Sequence, residues 1–263
     1  MNSPTLSLVV LTRNEERHIH DCLVSVREWA DELLVVDAYS QDRTVEIARE
    51  MGAHIETRAW DNFPRQRNAA LDLARGDWVF FIDADERGTL ALGHEVRRRI
   101  EAEPGRLPAS GDSAACAGYW VPRRNIIFGK EIRHTGWSPD YQPRLLRRGA
   151  AWFDPDRVVH ELVVWNGTSG HLRETLLHYN YESLAQFRAK QTSYTHAEAL
   201  IWYAEGKRAH GRSFVGQPLR EFFRRYVSLQ GWRDGAHGLL LSVLMAYYAG
   251  VRQKMLWDMG RQS

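Results

Sequence analysis

Trp78-Val79-Phe80-Phe81-Ile82-Asp83-Ala84-Asp85 is an apolar run that ends in two carboxylates one residue apart. Apolar side chains at both parities of a short segment predict a strand covered on both faces, as in a parallel sheet. The same alternation extends outward. Just before it, Asn68 to Arg75 reads as a helix stopped by Gly76. Earlier, Leu33-Leu34-Val35-Val36 is a second buried strand with Asp37 at its C-terminal end, and Leu6 to Leu11 is another, followed by the polar loop Thr12-Arg13-Asn14-Glu15. Helical spacing fills residues 16–29, with Ile19, Leu23 and Val26 on one face, and Thr44 to Met51, stopped by Gly52. Ala53 to Glu56 completes the set as a third strand in chain order. Strands alternating with helices predict an α/β fold, a parallel sheet with helices on both faces. Such sheets bind ligands beyond the carboxyl ends of their strands. Thr12, Arg13, Asp37, Asp83 and Asp85 all stand there, so they are expected to meet in one crevice.

Downstream the pattern changes twice. Residues 104–118, rich in Pro, Gly, Ala and Ser, read as a mobile surface loop, and residues 119–180 as short strands and turns with many Arg and aromatic side chains. From Ser183 the spacing is helical: Leu184, Phe187, Gln191, Tyr194 and Ile201 lie along one helix. Pro218 suits the first turn of a second, with Leu219, Phe222, Phe223, Tyr226 and Leu229 after it and Gly231 as its stop. Leu239 to Val251 is a strongly apolar third. A boundary near residue 180 is expected, separating a domain over 1–180 from a helical region over 181–263. Charge divides at the same place: residues 1–180 carry a balance of −4 and residues 181–263 a balance of +6. A basic rear can meet nucleic acid, anionic lipid or an anionic substrate.

The 263 residues suffice for one large domain with an appendage. Cys22 and Cys116 form no ligand or disulfide pattern and read as reduced thiols. The chain enters its first strand without a basic region and cleavage site, and no stretch reaches the roughly 18 apolar residues of a membrane span, so a cytoplasmic protein is expected.

Asp83-Ala84-Asp85 carries the sharpest chemical signal. Alternate residues of an extended chain point the same way, so both carboxylates are expected to face one ion. Oxygen ligands suit Mg²⁺ or Mn²⁺, which can bridge a carboxylate and a diphosphate and neutralise charge on a departing nucleotide diphosphate.

Four segments in order then resemble the family 2 glycosyltransferases: Leu8-Val9-Val10-Leu11-Thr12-Arg13-Asn14-Glu15, Leu34 to Thr44, Arg65-Gln66-Arg67-Asn68-Ala69-Ala70, and Trp78 to Glu86. The likeness is good over about residues 5–100 and looser over 119–180. Within the family the chain looks most like bacterial lipopolysaccharide core glycosyltransferases of the WaaE/KdtX type, including the helical C-terminal part. The resemblance implies a GT-A fold (Rossmann-like, a mostly parallel sheet flanked by helices), a UDP-sugar donor with glucose as the leading guess, a divalent metal and inversion at the anomeric carbon. It gives Thr12 and Asn14 places in the nucleotide pocket. Asp37 would accept hydrogen bonds from uracil or ribose, and Arg67 would approach the base or diphosphate. Asp83 would touch ribose or a metal-bound water, and Asp85 would ligate the metal. The loop Ala38-Tyr39-Ser40-Gln41-Asp42 departs from the family in its bulky Tyr39, which would alter donor preference or pack on the base.

An inverting transfer needs a base for the acceptor hydroxyl. Glu161 is favoured by its place in chain order and Asp140 is second. His160 is a candidate third metal ligand, and Trp137 would stack on the acceptor sugar or sit in a core. The acceptor implied is a lipopolysaccharide core or other surface glycan, carried on a glycolipid. The apolar stretch Leu239 to Tyr248, too short to span, reads as a core helix or as lying in a membrane interface. Peripheral attachment to the cytoplasmic face of the inner membrane is expected.

Other classes fit less well. A haloacid dehalogenase-type phosphotransferase would have Asp-x-Asp near the N-terminus and Thr or Val where Arg87 stands. A nucleotidyltransferase would need a Gly-rich loop in place of Thr12-Arg13-Asn14-Glu15. A nucleic-acid binder would leave the acidic crevice unexplained, and a non-catalytic binding or membrane-adaptor protein would not need Asp83 and Asp85 intact.

Overall fold

The computed structural model describes residues 3–103, 115–156 and 162–262. In chain order the elements are β1 (Leu6–Thr12), α1 (Ile19–Val26), β2 (Glu32–Asp37), α2 (Thr44–Glu50), β3 (His54–Thr57), α3 (Phe63–Leu73), β4 (Trp78–Phe81), β5 (Glu86–Arg87) and α4 (Leu90–Ala102). There follow β6 (Cys116–Ile127), β7 (Lys130–Ile132), β8 (Asp140–Arg147), β9 (Ala151–Phe153), β10 (Val163–Trp165), β11 (Thr168–His171) and β12 (Leu176–Tyr181). Three long helices close the chain: α5 (Leu184–Ala204), α6 (Ser213–Phe223) and α7 (Ala236–Gln262). Residues 104–114, most of the expected loop, lie outside the described residues; Cys116 already opens β6.

The chain divides into two compact units. The first comprises Met1–Arg123 and Asp140–His178. Its sheet runs β3-β2-β1-β4-β8-β6-β12-β5, with β11 also on β6. The first four strands are parallel; β8 then pairs antiparallel with β4, and β6 antiparallel with β8. Alternation explains the layers. Leu8, Val10, Val35, Phe80 and Ile82 face one side, with Ile19, Leu23 and Val26 of α1 and Leu92 and Val96 of α4. Val9, Leu34, Val36, Val79 and Phe81 face the other, with Ala70 and Leu71 of α3 and Phe153 of β9. The expected α/β architecture with helices on both faces is therefore present, with an antiparallel extension built from the second half. The expected helix over 16–29 is shorter: α1 stops at Val26 and a tight 3₁₀ turn finishes it at Trp29.

The second unit comprises Arg124–Pro139 and Tyr179–Ser263. The hairpin of β7 on the end of β6 thus groups with the helices. Its core gathers Ile127, Ile132, Tyr181, Phe187, Leu241 and Tyr248. Pro218 lies inside α6, not in its first turn, because the helix starts earlier, at Ser213. There the Ser213 hydroxyl donates to the His210 carbonyl (2.6 Å) and accepts from the His210 amide (3.0 Å). The proline ring is accommodated opposite Gly250, where an added Cβ would come within 3.4 Å of Pro218. Gly231 does not stop α6: a π turn over Arg224–Ser228 follows the helix, and Gly231 begins a 3₁₀ turn.

Candidate active site

The register places the expected residues at one edge. Thr12 pairs with Asp37 at the ends of β1 and β2, and Val9 pairs with Phe81 near the end of β4. Thr12, Asp37 and the Asp83–Asp85 segment therefore leave the sheet side by side.

Asp37 is buried. Its Oδ1 accepts from the hydroxyls of Thr12 (2.9 Å) and Ser40 (2.5 Å), and its Oδ2 from the Ser40 amide (2.8 Å). Asn14 holds the same loop from the other side. Its amide donates to Ser40 Oγ and its side-chain carbonyl accepts from the Gln41 amide, both at 2.8 Å. Thr12, Asn14 and Asp37 thus fix the shape of the loop after β2. That loop presents Tyr39, which is 60% exposed and has φ of +56°. A bulky residue in the left-handed region is strained, and such strain concentrates at functional loops.

Asp83 and Asp85 do not lie on one extended strand. β4 ends at Phe81, and the backbone turns, with the Glu86 amide donating to the Asp83 carbonyl at 2.9 Å. The expectation that strand alternation directs both carboxylates to one ion is corrected on this ground. Glu86 stabilises the turn, its carboxylate accepting from the Asp83 amide at 3.0 Å. Arg87 braces it, donating to the Ala84 carbonyl at 2.8 Å.

Asp83 is engaged by guanidinium groups. Arg144 Nη1 donates to its Oδ1 at 3.1 Å, and Arg144 Nη2 contacts its Oδ2. Arg67 Nη2 is 3.5 Å from Oδ1. Burial pushes the Asp83 carboxyl up, but Arg144 and Arg67 beside it outweigh this and hold it well below the usual carboxylate range. Arg67 is itself packed over the rings of Phe81 and Phe153, at 5.2 and 5.4 Å. Arg144 also donates to fully buried Glu86 at 2.6 Å, and Arg123 joins Glu86 (3.1 Å) to Asp140 (2.8 Å). Asp83, Glu86 and Asp140 therefore alternate with Arg67, Arg144 and Arg123 in one network. Asp140 also accepts from Gln142 at 2.8 Å.

Asp85 points elsewhere. Its Oδ2 lies 3.6 Å from Nε2 of His178 on β12. Carboxylate and imidazole are both ordinary ligands of divalent cations. Among the described residues no cluster of three or more His, Cys, Asp or Glu could hold a metal. The pair suits an ion that draws its other ligands from a diphosphate and water, as Mg²⁺ commonly does. His160 and Glu161 lie outside the described residues. Trp137 is in the core of the helical unit, its ring edge-on to Tyr181 at 5.8 Å. His178 was not singled out from sequence, yet a signal exists: it shares strand parity with buried Leu176 and faces inward, 7% exposed.

Residues 7–87 match the family model for glycosyl transferase family 2. That match, with the glycosyltransferase-named relatives, supports a glycosyltransferase enzyme, and the sheet is mixed and flanked by helices. It is 29% identical to the lipopolysaccharide core biosynthesis glycosyltransferase LpsC of Rhizobium meliloti, over 93% of this chain and 88% of that one. It is 26% identical to an uncharacterized glycosyltransferase of Rickettsia bellii, over 98% of this chain and 87% of that one. Among solved structures, glucosyl-3-phosphoglycerate synthase from Mycobacterium tuberculosis, in complex with Mn²⁺, UDP and phosphoglyceric acid, superposes with a TM-score of 0.47 at 17% identity. That match covers 76% of this chain and 78% of that one, a likeness too loose to speak to donor or acceptor.

Proposed function

We propose that the chain transfers a hexose, glucose first among the candidates, from a UDP-sugar to a lipopolysaccharide core or other bacterial surface glycan, with inversion at the anomeric carbon. The observation that carries this reading is the division of labour in the crevice. Asp83 is bound by Arg144 and Arg67, whereas Asp85 lies 3.6 Å from His178, beyond the strand ends where such sheets bind ligands. The likeness to LpsC supports a core-glycan acceptor.

Asp85 and His178 would hold a Mg²⁺ or Mn²⁺ ion, which when bound would stabilise negative charge on the leaving diphosphate. Tyr39, on a loop tied down through Asp37 and Asn14, would pack on the uracil ring. The network through Arg144 fixes the turn that carries Asp85, so the Asp85 carboxylate needs little reorganisation on donor binding. Glu161 would take the proton of the acceptor hydroxyl as that oxygen bonds to the anomeric carbon and the bond to UDP breaks. Asp140, bound by Arg123 and Gln142, is cast as a positioning group.

The helical unit would bring the enzyme to its acceptor at the cytoplasmic face of the membrane. No described helix is long and apolar enough to cross a membrane. However, α6 exposes Val215, Leu219 and Phe223 at four-residue spacing, and α7 exposes Leu239, Val243 and Tyr247 likewise. Such stripes suit an interface, with Arg220 and Arg233 available to anionic headgroups.

The test is an assay of UDP release from UDP-glucose with purified core oligosaccharide, with product anomers read by NMR. Transfer with inversion, reduced at least about 100-fold in Glu161→Gln but only several-fold in Asp140→Asn, is expected. Retention of configuration, or loss of activity in Asp140→Asn alone, would remove this assignment.

A further inference from the structure

The helical unit contains a cleft of about 540 Å³, lined among others by Trp202, Lys207, Arg208, His210, Arg212 and Gln253. Three of these are permanent cations, and only Lys207 is paired with an acid among the described residues. Lys207 pairs with Glu205 at 2.7 Å. The side chain of Arg208 lies over the Tyr203 ring at 3.9 Å and spends only Nη1, on the carbonyls of Tyr203 and Lys207. Arg212 makes no side-chain hydrogen bond or ion pair among the described residues. The cleft wall thus carries a surplus of positive charge, and a concave, partly apolar wall concentrates that field.

A second observation concerns Gln253 of α7. It is 3% exposed and lines the cleft. An amide at a cleft wall offers both a donor and an acceptor to whatever occupies the cleft. An anion alone would use only its N–H groups; a hydroxyl can meet both its donor and its acceptor.

We infer that this cleft binds a phosphorylated saccharide. The guanidinium forks of Arg208 and Arg212 take the phosphate, and Gln253 takes a sugar hydroxyl. The volume is in the range of small-ligand sites and exceeds what a bare phosphate would fill. The residues that line the cleft all belong to the helical unit, so it shares none with the Asp85–His178 pair and does not depend on the transferase reading. The phosphorylated sugar could be free in solution or part of a glycolipid, and both share this chemistry.

The test is calorimetric titration of the full-length protein with inorganic phosphate, with glucose 1-phosphate, and with a detergent-dispersed phosphorylated glycolipid. Saturable binding of a sugar phosphate, tighter than inorganic phosphate, is expected. It should weaken about tenfold or more in Arg208→Gln and in Arg212→Gln, and be unchanged in Asp85→Asn. Gln253→Leu should erase the preference for sugar phosphate over phosphate, leaving phosphate binding in place. Tighter binding of the glycolipid than of glucose 1-phosphate, with the same variant pattern, assigns the cleft to a lipid-linked glycan; the reverse assigns it to a free metabolite. Absence of saturable binding for all three probes, binding indifferent to Arg208 and Arg212, or binding lost in Asp85→Asn would overturn the inference.

Discussion

Arg144 is 2% exposed and contacts two carboxylates, Asp83 and Glu86. Burial would lower its pKa, but those two neighbours raise it, so it stays charged. Arg144→Ala would leave both carboxylates facing a lost cation, and breaking a buried ion pair from one side costs about 3–5 kcal/mol. Denaturant unfolding should show the midpoint falling at unchanged slope; a variant within about 0.5 kcal/mol of wild type would contradict the network. His178→Ala should lower metal-dependent UDP affinity about tenfold or more while leaving metal-independent binding alone, since only the ion would contact the imidazole. The carboxylates of the crevice were legible in sequence because they follow apolar strands directly. Their partners were not. Arg144 stands 61 residues from Asp83, and no local spacing rule links them. The direction of Asp83 was also hidden, because it is set by a turn that Glu86 closes, and the strand had appeared to continue.

At the scale of elements, the helical unit depends on one close backbone crossing. A Cβ added at Gly238 on α7 would lie 1.8 Å from the Gly231 carbonyl oxygen. Replacing a helical glycine by alanine ordinarily gains about 0.5–1 kcal/mol. Here the clash with backbone should reverse the sign, so Gly238→Ala is expected to lower the thermal midpoint by several degrees. A raised midpoint would mean that α7 can move away freely. Apolar spacing made α1, α2, α5 and α7 visible in the sequence, because period alone locates a buried stripe. It misplaced the start of α6, because Pro218 reads as a first-turn residue and the true start rests on the Ser213–His210 bonds. The hairpin of β7 on β6 grouping with the helices was also not legible, because it depends on long-range packing of Ile127 and Ile132.

At the scale of the whole molecule, part of the acid sensitivity should arise in the helical unit. Burial pushes Asp234 up, but His134, Thr135 and two backbone amides outweigh it and hold its carboxyl below the usual value. Burial likewise opposes, and Arg224 and Arg225 overcome it at Glu221, lowered to about 2. A folded-state pKa below the unfolded value contributes stability that is present above the unfolded value of about 4 and is lost as pH falls through the folded one. Stability should therefore decline from about pH 4 towards pH 2; Asp234→Asn should be less stable at pH 7 and lose less of its stability over that window. A wild-type stability flat across that range would contradict this assignment. The proposed membrane contact is tested at the same scale. Vesicles with anionic lipid should sediment the protein and zwitterionic ones should not, and Leu219→Asp with Phe223→Asp should weaken binding about tenfold or more. Equal sedimentation with both vesicle types would remove the basic flanks from the account.

The central claim is that Asp85, facing His178, serves a metal-assisted nucleotide-diphosphate site. Calorimetric titration with UDP, with and without Mn²⁺, on the wild-type protein and Asp85→Ala tests it most directly. The account predicts that Mn²⁺ tightens UDP binding in the wild type and that Asp85→Ala abolishes this gain. UDP binding equally strong without metal, or a metal gain that survives Asp85→Ala, would contradict it.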